Sequence, residues 1–188
     1  MSVAAPPPAP ALVPAGHRFR AYTALRPFSV VEYERMIDSG ILTDEDKVEL
    51  LDGHVVLKMP SNAPHASAIQ SLTELLPPLL PVGWSLRGQQ AILLPTSAPE
   101  PDIALVRGSS RDYRARHPNA AEAALVIEVA DSSLDRDRHD KGPLYASAGL
   151  PVYWIVNLVD QVVEVYTSPK GARMPLTTPI SETFTPAI

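Results

Sequence analysis

The chain has 188 residues, a formal net charge of −5, 45% hydrophobic residues and no cysteine. That length suits one domain with an ordinary core. Disulfides and thiolate metal sites are excluded, and no apolar run approaches the roughly 18 residues of a membrane-spanning helix. The acidity weighs against avid, non-specific gripping of nucleic acid but leaves room for a local basic patch.

The opening segment, "MSVAAPPPAPALVPAG", lacks the charged and apolar regions of a secretory signal, so a cytoplasmic address is expected. Its prolines and alanines carry no hydrophobic period, so residues 1–16 are expected to form a disordered tail. Residues 17–188 are expected to form a single domain, loosely ordered from about residue 168. "SVVE" is a capping box with Ser29 as N-cap and Glu32 reaching back. Val30, Tyr33 and Ile37 then recur at helical spacing until Gly40, a fitting stop. "KVELLDGHVVLKM" reads as a hairpin turning at Asp52-Gly53. In "HASAIQSLTELLPPLL", Ile69, Leu72, Leu75, Leu76 and Leu79 form an apolar helical stripe, ended or kinked by Pro77-Pro78.

"WSLRGQQAILL" and "PDIALVR" read as strands. "AALVIEV" is apolar on both faces, as expected of a central strand covered from both sides. Ser132 or Ser133 can cap a helix running to Ala148, with Gly149 as its stop. Gly142-Pro143 implies either a start near Asp140 or a kink. "VYWIVN" and "VVEVYT" are two further strands, and a short closing strand is expected near Thr183. The order implies a mixed α/β sheet flanked by helices.

The carboxylates are the anomaly. Glu49, Asp102 and Glu128 all fall on expected strands, and Glu128 interrupts the most apolar one. An ionised carboxylate there needs a partner. If the strands of Asp102 and Glu128 pair, the two acids converge at one end of the sheet. A cation or a shared proton must then relieve their repulsion. A hard divalent ion such as Mg²⁺ takes such oxygen ligands with waters and substrate phosphate. Lys141 is the nearest cation in sequence, suited to orienting a metal-bound water or offsetting charge on a phosphorane-like transition state. Metal, carboxylates and lysine together describe phosphodiester hydrolysis.

Other readings compete. Glu128 could pair with an arginine of the 107–116 loop, and that loop could bind phosphate or merely be solvated. Trp84 and Trp154 are expected in the core. "DRDRH" is expected to be a solvated face, and His65 is expected only to open a helix.

"VELLDG", "EPDIALVR", "LVIEVADSSLDRDRHDK" and "LYASAGLPVYWIVN" together resemble the Uma-type family of the PD-(D/E)XK nuclease superfamily, over about Ser29 to Thr167. The resemblance implies a restriction-endonuclease-like fold and a Mg²⁺- or Mn²⁺-dependent endonuclease cutting DNA, with a homodimer as the expected assembly. It makes Asp102 and Glu128 metal ligands and adds Glu49 from the other side. It also moves the catalytic lysine from the usual position two residues after the second acid, here Ala130, to Lys141. Gln90 matches a secondary polar position. Asn157 and Val152 depart from the aspartate and glutamate usual in relatives. A nuclease-like module that binds nucleic acid or protein without cutting, and a phosphodiesterase for small nucleotides, are the alternatives.

Overall fold

The computed structural model describes residues 25–173 and 175–180; the expected N-terminal tail and Thr183 lie outside them. Helix α1 (Val30–Asp38) begins at Ser29 with the full capping box, and Gly40 adopts φ +73° just beyond its end. A hairpin of β1 (Val48–Leu51) and β2 (His54–Leu57) follows. Asp52 and Gly53 both have positive φ, 45° and 74°, as a two-residue turn matched to strand twist requires. Pro27 and the Phe28 carbonyl crowd Gly53 so closely that a Cβ there would collide. The hairpin is stitched to residues 96–98 by the bonds Gly53 N to Thr96 O and Ala98 N to Leu50 O.

Helix α2 (Ala63–Leu75) is capped by Asn62, and Pro77–Leu79 forms a 3₁₀ turn beyond it. Six further strands build one sheet in sequence order: β3 (Trp84–Gly88), β4 (Ile103–Arg107), β5 (Ala123–Ala130), β6 (Val152–Asn157), β7 (Val162–Thr167) and β8 (Leu176–Ile180). Only the β5–β6 pair is parallel. A parallel pair needs a crossover, and residues 134–147 supply it as α3 (Leu134–Arg136), a π-helical turn (Asp137–Lys141) and α4 (Gly142–Ser147).

Strand β5 is central and buried on both faces. Leu125, Ile127 and Val129 pack with Ile103 and Val156 against Ala68, Leu72 and Leu76 of α2. Val126 and Ala130 face the opposite way, into a core with Ala104, Ile155, Tyr145, Leu150 and Tyr153. Glu128 shares the parity of this second face.

Several expectations are corrected. The strand at 84 stops at Gly88, because Gln89 has φ +49° and turns the chain; Ile92 and Leu94 are buried from an irregular segment instead. On α2 the buried row is Ala68, Leu72 and Leu76, whereas Leu75 and Leu79 are exposed. The 3₁₀ turn at the prolines carries Leu79 out of the helical register. Neither expected solution for Gly142-Pro143 occurs: the helix begins early and widens into a π turn, with Gly142 N donating to Asp137 O. Such a turn absorbs a proline that has no N–H to give. "DRDRH" is not a solvated face, since Asp137 is buried and Arg138 forms a fork with Glu164. Trp84 is half-buried and carries the Arg107 guanidinium over its ring.

A candidate site of buried carboxylates around Lys141

Glu128 projects from β5 into the space beneath the π turn. Lys141 Nζ donates to its Oε1 at 3.0 Å, and Tyr145 Oη donates to the same oxygen at 2.9 Å. The arginines of the 107–116 loop do not serve it: Arg107 lies over Trp84, and Arg116 pairs with Glu122. Lys141 also reaches Glu49 Oε2 at 3.2 Å, so one ammonium bridges two carboxylates from separate sheets. Glu49 has its other contacts in place as well. Its Oε2 accepts from Glu100 N at 3.1 Å, and its Oε1 lies 3.8 Å from Arg136. Arg136 in turn donates to Leu57 O, tying the crossover helix to the hairpin.

Asp102 sits where the β4–β5 ladder ends. The last backbone pair is Ile103 with Ile127, and Asp102 Oδ2 then takes the Val129 N–H at 2.8 Å. The same oxygen lies 3.2 Å from His65 Nε2. His65 is fixed by its own N–H to Asn62 Oδ1 and by a 3.0 Å contact between Nδ1 and Ser61 Oγ. The capping geometry of α2 therefore brings His65 to Asp102, correcting the expectation that it only opens a helix. Asn62 also bonds Asp131 beyond the end of β5.

Asp137 completes the acidic ring. It is buried, its carboxylate accepts from Ser133 Oγ at 2.6 Å, and its field acts on both Glu128 and Lys141. Burial pushes the Glu128 carboxyl well above the usual range; Lys141 opposes the rise, while Asp137, Asp102 and Glu49 reinforce it. Burial likewise raises Asp137. Burial alone would lower Lys141, but the fields of Glu128, Glu49 and Asp137 outweigh it and hold the amine protonated. The hydrogen bond to Asp102 raises His65, against the effect of burial. The cluster thus holds more carboxylates than fixed cations, and Glu128 is where the excess is felt most.

Asp102, Glu128, Glu49 and Lys141 fall into two linked halves. Lys141 joins Glu49 to Glu128, and the Val129 N–H joins Asp102 to the strand of Glu128. Gln90 is exposed, after β3, and is not among the contacts of this cluster. Sequence reasoning missed Tyr145 and Asp137, although both lie four residues from Lys141, the spacing that puts helical residues on one face.

Among the described residues, no three His, Asp or Glu side chains are grouped to hold a metal ion. A Mg²⁺ site needs fewer, commonly one or two carboxylates with waters and phosphate. Among the described residues, Asp102 Oδ1 and Glu128 Oε2 receive no hydrogen bond, whereas both oxygens of Glu49 face cations. The donor set therefore fits a hard divalent ion at Asp102 and Glu128, with Glu49 turned to Lys141.

Residues 30–186 match the Uma2 family, described as "Putative restriction endonuclease". The chain belongs to the Uma2 family. No curated protein matches it. Among solved structures, this Uma2 chain is similar to a protein from Anabaena variabilis described as a "putative nuclease", with 15% identity and a TM-score of 0.58. The match covers 80% of this chain and 84% of that one. At that identity the likeness concerns the fold: a mixed α/β sheet flanked by helices. Among the described residues, no helix of this Uma2 chain is long and apolar enough to cross a membrane.

Proposed function

We propose that this Uma2 protein is a divalent-metal-dependent endonuclease that hydrolyses DNA phosphodiester bonds, with a homodimer placing one protomer on each strand. The observation that carries the reading is the pair of unengaged oxygens, Asp102 Oδ1 and Glu128 Oε2, the second on a carboxylate that the buried, protonated Lys141 holds. Family membership and the nuclease description of the structural neighbour support it.

Asp102 and Glu128 would hold Mg²⁺ or Mn²⁺; when bound, the ion neutralises phosphate charge and makes a water more acidic. Glu128 would enter that role as the carboxylate, its ionised form supported by Lys141 against the rise that burial imposes. Lys141, kept protonated by Glu128, Glu49 and Asp137, is a donor and not a base. It orients a water or offsets charge on a phosphate oxygen. Glu49 positions Lys141, and Tyr145 fixes the other lone pair of Glu128 Oε1. His65 and the Val129 N–H hold Asp102 by Oδ2, leaving Oδ1 as the oxygen for the ion.

The test is cleavage of supercoiled plasmid and single-stranded DNA with Mg²⁺ or Mn²⁺, against an EDTA control and the variant Glu128→Gln. Nicking by the wild type that both the chelator and the variant abolish is the expected result. Equal activity in wild type and variant would place the chemistry elsewhere. DNA binding with no cleavage under either ion would favour a non-cutting module.

A further inference from the structure

Arg87 stands on the Glu128 face of the sheet with no carboxylate partner among the described residues. It lies on β3 opposite Ala104, which lies opposite Val126 on β5. Ala104 and Val126 belong to the core on the Glu128 side, as does Tyr113. The Arg87 guanidinium stacks over the Tyr113 ring at 5.2 Å from its centroid. Arg116 covers the same ring at 5.1 Å, but a two-pronged pair with Glu122 occupies its charge. Arg87 has no such partner among the described residues. Its Nε is buried without an acceptor, so the stem is clamped, while its terminal nitrogens are not among the sealed-off atoms. Burial lowers its pKa, as expected of a cation held partly out of water.

Its position matters as much as its charge. Gly88, the next residue, pairs with Ile103, and Gln89 N donates to Asp102 O at 3.1 Å. The end of β3 that carries Arg87 is therefore the end at which Asp102 and Glu128 sit. Two strand spacings across and two residues along put the Arg87 and Glu128 Cα atoms about 12 Å apart. That is too far to touch reacting atoms at Glu128 and near enough for one polynucleotide strand to meet both.

Resting on the hydrolytic reading above, we infer that Arg87, pre-stacked on Tyr113, grips a backbone phosphate of the nucleic-acid strand a short distance from the phosphate at Asp102 and Glu128. A planar fork held on an aromatic face suits phosphate and loses little freedom on binding. Arg107 provides an internal control. It too stacks on an aromatic ring, Trp84, but the pair lies three strand positions from the Arg87–Ala104 pair and so on the opposite face of the sheet.

The test measures equilibrium binding of fluorescein-labelled duplex and single-stranded oligonucleotides in EDTA, over a series of salt concentrations, so that no cleavage intervenes. Wild type is compared with Arg87→Met, Arg87→Lys and Arg107→Met, with folding monitored by circular dichroism. Losing one phosphate contact reduces the slope of log affinity against log salt by about 0.9 on duplex or about 0.7 on single strands. Arg87→Met is expected to lose that much on at least one of the two substrates, and Arg107→Met to lose none. Arg87→Lys keeps the charge and the fold, so it should keep the slope yet bind more weakly for want of the fork. An unchanged slope in Arg87→Met, an equal loss in Arg107→Met, wild-type affinity in Arg87→Lys, or no binding by wild type overturns the inference. Cleavage without an Arg87 effect refutes only this inference. Binding through Arg87 without cleavage refutes only the hydrolytic reading.

Discussion

Replacing Lys141 by methionine leaves Glu128 and Glu49 facing each other with no cation between them. Lys141, Glu128 and Glu49 have side chains only 7%, 5% and 2% exposed, so water screens their contacts little. At separations of 3.0 and 3.2 Å, the two attractions amount to roughly 5 kcal/mol each at an effective dielectric of about 20. Desolvation of three ions cancels much of that sum, and removing one partner of a buried pair typically costs about 3–5 kcal/mol. A loss of that size is expected for Lys141→Met at pH 7, measured by urea denaturation. It is a large share of the roughly 5–15 kcal/mol that holds an ordinary domain together. The pH dependence is the sharper test. Without the lysine, the already raised Glu128 carboxyl rises further, so the folded variant binds a proton that the unfolded chain releases above its ordinary value of 4.5. Where the native state holds more protons, stability falls as pH increases. The stability of Lys141→Met should therefore fall as pH rises above 4.5, at about 1.4 kcal/mol per pH unit, and keep falling to a higher pH than that of the wild type, whose folded carboxyl ionises sooner. Adding Glu128→Gln should flatten that slope and restore part of the loss. A single variant within about 1 kcal/mol of wild type at pH 7, with a parallel pH profile, would refute the buried ion cluster.

Three further outcomes follow from the same geometry. Tyr145→Phe removes a 2.9 Å donor to the Glu128 carboxylate and should cost about 1.5–3 kcal/mol by chemical denaturation. Burial would raise Glu164, but hydrogen bonds from Arg138, Tyr166 and Asn157 outweigh it and hold its carboxyl below the ordinary 4.5. Its contribution is thus complete above that value and is lost as pH falls through the lowered one, so Glu164→Gln should flatten the acid limb of a melting-temperature profile. Asn157→Asp would set a carboxylate where the amide now donates to Glu164 at 2.8 Å and Asp160 at 2.9 Å. It should destabilise by about 1–3 kcal/mol at pH 7 and recover on acidification.

The fold was legible wherever one pattern governed a segment. The Ser29 capping box, the Asp52-Gly53 turn and the two-sided apolar run of β5 each have a local cause, and each appears as expected. Legibility failed where a distant group decided the outcome. Gln89 turns the chain out of β3 as its N–H goes to the Asp102 carbonyl, something no periodicity in "WSLRGQQAILL" announces. Asp137 looks like one member of an alternating charge run. It is buried because the π turn rotates it inward and Ser133 satisfies it.

The candidate site follows the same division, and the division bears on chemistry. Composition and strand pattern were enough to flag Glu49, Asp102 and Glu128, since a carboxylate in an apolar strand demands a partner. They could not apportion the partners. Glu49 was expected to bind metal or water from the other side, and in the structure its oxygens face Lys141, Arg136 and the Glu100 N–H. That arrangement gives the displaced lysine a reason. With Ala130 two residues beyond Glu128, no cation on β5 itself can neutralise the strand. The crossover helix delivers one instead, and its π turn sets the register by which Lys141 and Tyr145 meet the same oxygen. Glu49 anchors the lysine that arrives from the helix. Glu49→Gln should then lower the rate constant for cleavage more than it weakens the metal dependence, whereas Asp102→Asn should do the reverse. Metal titrations of cleavage for both variants measure the difference. A Glu49→Gln variant that needs much more Mg²⁺ yet reaches the wild-type maximal rate would return Glu49 to the ligand set.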